Sequence, residues 1–201
     1  MRKIILATRN SHKARELQSF LSETDIHVLT IDEVAPDLEL REDGVTFEAN
    51  AFQKARTVFQ RTKIPSLADD SGLEVFYLNG RPGVFSARYA GDGATDEMNN
   101  LKLLEEMRAV APRRRKAQFR SVLAFVADGI EEKTEGICSG YLGEIPRGTN
   151  GFGYDPIFIP DGFTKTYAEL TSEEKNRISH RARSFSKMKD ILIAKIQFLT
   201  K

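Results

Sequence analysis

The chain contains one cysteine, Cys138, which leaves no partner for an intrachain disulfide and no thiol set for a multi-cysteine zinc site. Basic and acidic residues nearly balance, at 30 against 29, so no overall field attracts nucleic acid or an anionic membrane. No apolar run approaches transmembrane length, and Ile4–Ala7 is too short for the apolar region of a signal peptide. We therefore expect a cytoplasmic protein with no nucleic-acid partner and no membrane partner.

Internal repeats, low-complexity tracts and interdomain linkers are also lacking. The 201 residues are therefore expected to form a single domain, 1–201, with a substantial core. The only sizeable basic run is Arg113–Lys116, which we interpret as a solvated turn. Contact with a polyanion is the alternative interpretation of this run.

The stretch Ser66–Leu73 places two adjacent carboxylates, Asp69 and Asp70, directly after a short apolar run. Ser71 and Gly72 favour a turn, so both aspartates are predicted to lie at the end of a strand. Adjacent carboxylates repel each other unless a cation lies between them or one keeps its proton, and a divalent metal is the favoured explanation. The alternative is that the pair merely shapes a solvated turn.

The first apolar run, Lys3–Ala7, is predicted to be a strand. The residues after it, Thr8–Ser11, are predicted to form a loop that leads into a helix with Ala14 and Leu17 on its buried face. Free N–H groups at the start of that helix, with Lys13 in its first turn, favour binding of a phosphate. The loop lacks the glycines of a P-loop. The alternative is that Ser11 is only an N-cap and Lys13 is solvated.

An acidic segment with Glu39, Glu42 and Asp43 precedes a helix for which Thr46 is the predicted N-cap. These carboxylates could bind a ligand or simply complement the helix dipole.

A glycine-rich stretch, Gly148–Pro156, contains two aromatic residues, Phe152 and Tyr154. It predicts a backbone that closely approaches a planar ligand, which either ring could stack upon. An ordinary turn plugged by aromatic side chains is the alternative.

The sequence Thr171–Glu174 is a capping box at the start of a C-terminal helix. On one unbroken helix, Lys175, His180 and Arg181 would point in different directions, since each residue advances by roughly 100°. If all three serve one ligand, the helix should break near Ile178–Ser179.

Five motifs follow one another along the chain: Thr8-Arg9-Asn10-Ser11-His12-Lys13, Ala68-Asp69-Asp70-Ser71-Gly72-Leu73, Ser86-Ala87-Arg88-Tyr89, Gly151-Phe152-Gly153-Tyr154-Asp155-Pro156 and Ser179-His180-Arg181. Together they closely resemble the inosine/xanthosine triphosphate pyrophosphatase family, whose members hydrolyse dITP, ITP and XTP to the monophosphate and pyrophosphate. The resemblance spans nearly the whole chain. It implies an elongated two-lobed α/β fold around a long mixed β-sheet flanked by helices, dependence on Mg²⁺, and a homodimer.

The resemblance also implies roles for individual residues. Glu42 and Asp70 would bind the metal, Asp70 would also accept a proton, and Ser71 would bind substrate. The residues expected to bind the triphosphate are Thr8, Arg9, Asn10, Ser11, His12 and Lys13. The residues expected to complete the pocket for the purine nucleotide are Phe152, Gly153, Tyr154, Asp155, Lys175, His180 and Arg181.

One position departs from the family pattern. Members usually have Thr-Phe-any-Glu-Asn-Ala, whereas this chain has Ala49 in place of the glutamate and an acidic residue, Glu48, one position earlier. One step along a helix turns a side chain by roughly 100°, so Glu48 is not a simple substitute.

The sequence leaves two rival functions open. One is a related pyrophosphatase that acts on pyrimidine or modified nucleotides. The other is a nucleic-acid-binding module that uses Arg113–Lys116 together with Phe152 and Tyr154.

Overall fold

The computed structural model describes residues 2–22 and 24–196. The strands are β1 (Arg2–Leu6), β2 (Ile26–Thr30), β3 (Ser66–Val75), β4 (Lys116–Ala127), β5 (Ile130–Leu142) and β6 (Phe158–Pro160). The helices are α1 (Ser11–Leu21), α2 (Ile31–Val34), α3 (Phe47–Thr62), α4 (Asp96–Glu106), α5 (Ser172–Ile178) and α6 (His180–Ile196). Short 3₁₀ segments include Phe76–Leu78 and Gly83–Arg88.

The strands form a mixed sheet in the order β2-β1-β3-β4-β5-β6. Strand β1 runs parallel to both β2 and β3, and Ile4, Ile5 and Leu6 on it are fully buried. A central parallel strand is covered on both faces, which explains its continuous apolar sequence. Strands β5 and β6 are antiparallel. The predicted α/β class with a mixed sheet flanked by helices is confirmed.

Polar residues start the helices largely as expected. The Thr46 hydroxyl accepts a hydrogen bond from the Ala49 N–H and caps α3, as predicted. At α1 the alternative in which Ser11 is the N-cap is wrong, because Asn10 is the N-cap and Ser11 is the first helical residue. An asparagine side chain can accept from two successive N–H groups at a helix start, and here it does so. The side chain of Ser11 lies outside the described part of the structure.

The chain divides into two compact units. The first comprises Met1–Asp70, Ser121–Gly136 and Ala182–Lys201, and the second comprises Ser71–Arg120 and Ile137–Arg181. The core of the first unit includes Leu6, Leu67, Phe125 and Phe185. The core of the second unit includes Leu73, Phe119, Phe158 and Tyr167. Among the described residues no helix is long and apolar enough to cross a bilayer.

The prediction that Asp69 and Asp70 end a strand was wrong. Both lie inside the ten-residue strand β3, which continues through Ser71 and Gly72 to Val75. Strand β1 pairs with β3 at Ser66 and Leu67, and β4 is the neighbour of β3 on its other side. Inclusion in the sheet thus overrides the local turn preference of Ser71 and Gly72.

The predicted break in the C-terminal helix is confirmed. Thr171 and Glu174 form the expected capping box at the start of α5. Ser179 then adopts an extended conformation, with φ −67° and ψ 155°, and α6 begins at His180. The apolar pattern of the sequence predicts that this helix continues to about Leu199, and the part of that prediction beyond Ile196 lies outside the described residues.

Candidate active site

Asp70 is the centre of a buried polar cluster in the first unit. Only 6% of the residue is exposed. Its Oδ1 lies 3.2 Å from Lys54 Nζ, and its Oδ2 accepts a hydrogen bond of 3.1 Å from Asn50 Nδ2. Burial raises the pKa of Asp70 above its ordinary value, and the ammonium groups of Lys54 and Lys13 only partly offset this effect.

Lys54 connects three parts of this cluster. Its Nζ donates to Glu42 Oε1 at 2.5 Å and to the Asp69 carbonyl at 2.9 Å, in addition to the Asp70 carboxylate. Burial lowers the pKa of Lys54, but the carboxylates of Asp70 and Glu42 outweigh it, and the pKa stays above its ordinary value. Lys54 is therefore a buried ammonium shared by two carboxylates.

Asp69 has partners of its own. It is 1% exposed; Lys13 Nζ lies 3.0 Å from its Oδ2, and Ser121 Oγ donates to its Oδ1 at 2.7 Å. The Ser121 hydroxyl lies 2.9 Å from that of Ser184. Burial rules out the solvated-turn alternative for the aspartate pair. The adjacency of the two carboxylates does not itself require a metal, because each carboxylate contacts a separate lysine, Lys13 for Asp69 and Lys54 for Asp70.

Asn50 and Lys54 were not identified from the sequence as site residues. They lie four positions apart on α3, so they share one helix face, which is otherwise lined by Ala51, Ala55 and Val58. A polar residue every helical turn on an apolar face is the signal that could have revealed them. Asn50 Oδ1 also accepts from the Gly44 N–H at 2.7 Å, which ties the segment after Glu42 to the same helix.

Glu48 does not replace the missing glutamate of the family motif. Its carboxylate lies 2.5 Å from Lys133 Nζ, and both side chains are about half exposed. Ala49 is itself exposed on the first turn of α3. The Glu48 carboxylate, one position before Ala49, therefore forms a surface ion pair outside the Asp70 cluster.

The predicted phosphate loop is only partly directed at this cluster. Lys13 reaches Asp69, whereas the Arg9 guanidinium contacts the Asp32 carboxylate and the carbonyls of Pro36 and Leu38.

The start of α1 is ordered by local hydrogen bonds. Asn10 Oδ1 accepts from the N–H groups of His12 and Lys13, and Thr8 Oγ1 accepts from the Asn10 N–H. His12 Nδ1 lies 3.2 Å from Arg15 Nη2.

A second polar cluster lies in the second unit, around Asp155. This residue is 2% exposed, and its Oδ2 accepts from Lys175 Nζ at 2.7 Å and from the Phe152 N–H at 2.9 Å. Burial raises the pKa of Asp155, with Lys175 acting in the opposite direction. Gly151 is required beside it, because its φ is +77° and an added Cβ would lie 2.0 Å from Asp155 Oδ2.

The helix break at Ser179 places His180 and Arg181 in this second cluster. Arg181 Nη2 donates to Ser71 Oγ at 2.9 Å, and its guanidinium lies 5.0 Å from the centroid of the Phe152 ring. Lys175 Nζ lies 4.9 Å from the same ring. The His180 ring, 2% exposed as a residue, stacks on Phe119 with an interplanar angle of 8°.

Of the two aromatic residues in the glycine-rich stretch, only Phe152 remains a candidate for stacking on a ligand. Tyr154 is 3% exposed within the core of the second unit, and its hydroxyl donates to the Ser86 carbonyl at 2.9 Å. Burial raises the pKa of Tyr154. Gly153 lies between the two residues and is held by hydrogen bonds to Asp96 and Asn100 on α4.

The basic run Arg113–Lys116 is not wholly the solvated turn that we expected. Arg115 is 3% exposed and donates to the carbonyls of Gly143 and Met107. Its guanidinium is thus used to hold neighbouring backbone, because buried carbonyls need donors.

A family model described as the Ham1 family matches residues 4–191. A protein of Clostridium perfringens (strain 13 / Type A) named dITP/XTP pyrophosphatase is 46% identical over 199 residues, covering 96% of this chain and 98% of that protein. One of the same name from Bacillus subtilis (strain 168) is 46% identical over 195 residues, with the same coverage.

Two solved structures of Ham1 proteins are similar in fold to this chain. A HAM1 protein from Coxiella burnetii matches with a TM-score of 0.89 at 40% identity, covering 96% of this chain and all of that one. The Staphylococcus aureus Ham1 protein matches with a TM-score of 0.88 at 38% identity and the same coverage.

Proposed function

This chain belongs to the Ham1 family, and on that basis we propose that it hydrolyses dITP, ITP and XTP to the nucleoside monophosphate and pyrophosphate. Such a reaction removes aberrant purine nucleotides from the nucleotide pool. The observation that supports this chemistry most directly is the buried Asp70, held between Lys54 and Asn50. The names of relatives at 46% identity support the substrate class.

Asp70 is the proton acceptor in this proposal. The oxygen of a water molecule forms the new bond to phosphorus, the anhydride bond between the α and β phosphates breaks, and Asp70 takes one proton from the water. Its pKa, raised by burial, brings the carboxylate closer to the range in which a general base works best near neutral pH. Asn50, through its bond to Oδ2, orients the carboxylate, and Lys13 and Lys54 neutralise charge on the phosphates.

Magnesium fits the donor set of the first cluster. Glu42 and Asp70 both contact Lys54 Nζ, so their oxygens lie within reach of one cation. The described residues include no group of three or more histidine, cysteine or acidic side chains suited to hold a metal ion. Two carboxylates completed by substrate phosphates are a common magnesium arrangement. When bound, magnesium would neutralise phosphate charge and help to orient the water.

The second cluster recognises the base in this proposal. Hypoxanthine and xanthine present an oxygen at position 6, which accepts hydrogen bonds, whereas adenine presents an amino donor there. Arg181 and His180 supply donors of the required polarity, and Phe152 offers a ring for stacking. A buried donor left unpaired by the wrong base can discriminate by about 10⁴-fold.

We also place the protein in the cytoplasm as a homodimer. The single cysteine suits a reducing compartment. Several large apolar side chains in the second unit are exposed, and a second copy would shield them from water. They are Phe76, Phe85, Met98, Leu101 and Ile145. Light scattering at micromolar concentration should give the mass of two chains, and the mass of one chain would contradict the dimer.

The test of the reaction is pyrophosphate release from ITP, XTP, ATP, GTP and dTTP, with magnesium and again with excess chelator. We expect rapid, magnesium-dependent release from ITP and XTP, and little from the others. Release mainly from dTTP would favour the pyrimidine alternative. No release by folded protein would overturn the proposed reaction, and binding of oligonucleotides that weakens steeply with salt would then favour the nucleic-acid alternative.

A further inference from the structure

Helix α4 holds the backbone of Gly153 from both sides. Asp96 Oδ2 accepts from the Gly153 N–H at 2.6 Å, and Asn100 Nδ2 donates to the Gly153 carbonyl at 2.8 Å. Asp96 and Asn100 are four residues apart and so share one face of the helix. These two hydrogen bonds fix the backbone of Gly153 within the stretch Phe152–Asp155.

Asn100 lowers the stability of the fold, because one of its polar atoms is buried without a partner. It is 5% exposed, and its Nδ2 donates to two carbonyls, those of Asp96 and Gly153. Since both partners are acceptors, the orientation of the amide is determined, and Asn100 Oδ1 is left buried without a hydrogen-bond partner. An unpaired buried acceptor destabilises the fold. An apolar residue would avoid that cost but would not hold the Gly153 carbonyl.

The preceding residue on α4, Asn99, holds a second loop, the one that contains Ala87 and Ala90. Asn99 Nδ2 donates to the Ala87 carbonyl at 3.2 Å, and its Oδ1 accepts from the Ala90 N–H at 2.8 Å. Tyr154 connects the two loops, because its hydroxyl donates to the Ser86 carbonyl. The motif Ser86–Tyr89 thus has a structural role: it is fixed by α4 and in turn holds the residue after Gly153.

We propose that Asp96 and Asn100 are positioning residues that set the purine selectivity of the enzyme through Gly153. This inference rests on the proposed function and deepens it. Neither side chain needs to touch the substrate. Because the turn that begins at Phe152 and ends at Asp155 is proposed to meet the base, its backbone must be held closely for hydrogen-bond polarity to discriminate.

The experiment compares four variants: Asn100→Leu, Asp96→Ala, Asp96→Asn and Glu97→Ala. Asn100→Leu and Asp96→Ala should each raise KM for ITP and reduce the ITP:ATP ratio of kcat/KM by about tenfold, with kcat changed less than about threefold. Asp96→Asn keeps an acceptor for the Gly153 N–H and should retain the wild-type ratio. Glu97→Ala removes an exposed carboxylate from the same helical turn and controls for the lost charge.

Hydrogen exchange supplies a readout without substrate. A peptide covering 151–155 should exchange faster in Asp96→Ala than in wild type, whereas Glu97→Ala should leave it unchanged. An unchanged ratio in Asn100→Leu and Asp96→Ala, or an equal fall in kcat/KM for ITP and ATP, would overturn the inference. If Asn100→Leu does not fold, the Asp96 pair decides. Wild-type protein inactive on ITP and XTP would instead overturn the proposed function itself.

Discussion

Replacing Lys54 by methionine would test whether the Asp70 cluster depends on its buried ammonium. Methionine has similar length and no charge, so Lys54→Met removes the cation that contacts Glu42 and Asp70 while largely filling its space. Asp70 would then remain buried with only Asn50 as a direct partner among the side chains described above. Removing one member of a buried ion pair is strongly destabilising, because an uncompensated charge is left behind.

The expected loss in free energy of unfolding at neutral pH is about 3–5 kcal/mol. For a chain of this size that corresponds to a fall in melting temperature of about 10 °C. The loss should shrink as the pH falls. The pKa of Asp70 is already raised by burial and would rise further without Lys54, so acid protonates the carboxylate in the folded variant and removes the uncompensated buried charge. Urea unfolding at pH 7 and near pH 5 would measure both effects.

Lys133→Met is the matched control. It removes a lysine that also lies 2.5 Å from a glutamate, Glu48, but on the surface. Its expected cost is about 1 kcal/mol or less. Magnesium should stabilise Lys54→Met more than wild type, because it would supply the missing positive charge to Glu42 and Asp70. Equal stability of the Lys54 and Lys133 variants, or a loss that does not depend on pH, would refute the reasoning.

Three further predictions concern single side chains. Asp70→Asn should lower kcat by at least about 10²-fold while the melting temperature stays within a few degrees, because Lys54 keeps its ion pair with Glu42 and no buried charge is left unpaired. Retention of most activity would mean that another group accepts the proton. Arg181→Ala should reduce the ITP:ATP preference more than it slows ITP turnover, and an unchanged ratio would contradict its role at the base. Gly151→Ala should cost more than about 2 kcal/mol in urea unfolding, since it adds a contact with Asp155 to an unfavourable φ. Gly129→Ala, where φ is +66° and the space is open, is its control, and an equal loss in the two would show that the contact is unimportant.

Local signals in the sequence predicted several features because the physics behind them is local. Thr46 and Thr171 begin helices in the structure as expected, since a hydroxyl before a helical run accepts from backbone N–H groups within three residues. The break at Ser179 was predicted on the condition that Lys175, His180 and Arg181 serve one ligand. Helical geometry supplied the other half of that inference, because the three side chains would diverge on one unbroken helix.

The errors occurred where distant segments decide the conformation. Ser71 and Gly72 favour a turn by themselves, but they lie inside β3, whose neighbour β4 comes from a segment far along the chain. Lys54 lies on the apolar face of α3, but only the fold shows that its partner there is Asp70, sixteen positions away. Arg115 likewise belongs to a basic run in sequence and to a buried hydrogen-bond network in the fold.

The sequence by itself determined the α/β class and the family, and it predicted a set of candidate site residues, because apolar periodicity, capping residues and short motifs are written in consecutive positions. Tertiary structure decided how the charged groups of the candidate site are paired. Packing between segments far apart in the chain brings Lys13 to Asp69 and Lys54 to Asp70. The same packing pairs Glu48 with Lys133 on the surface. Burial then sets the pKa of Asp70, and burial is a property only of the folded chain.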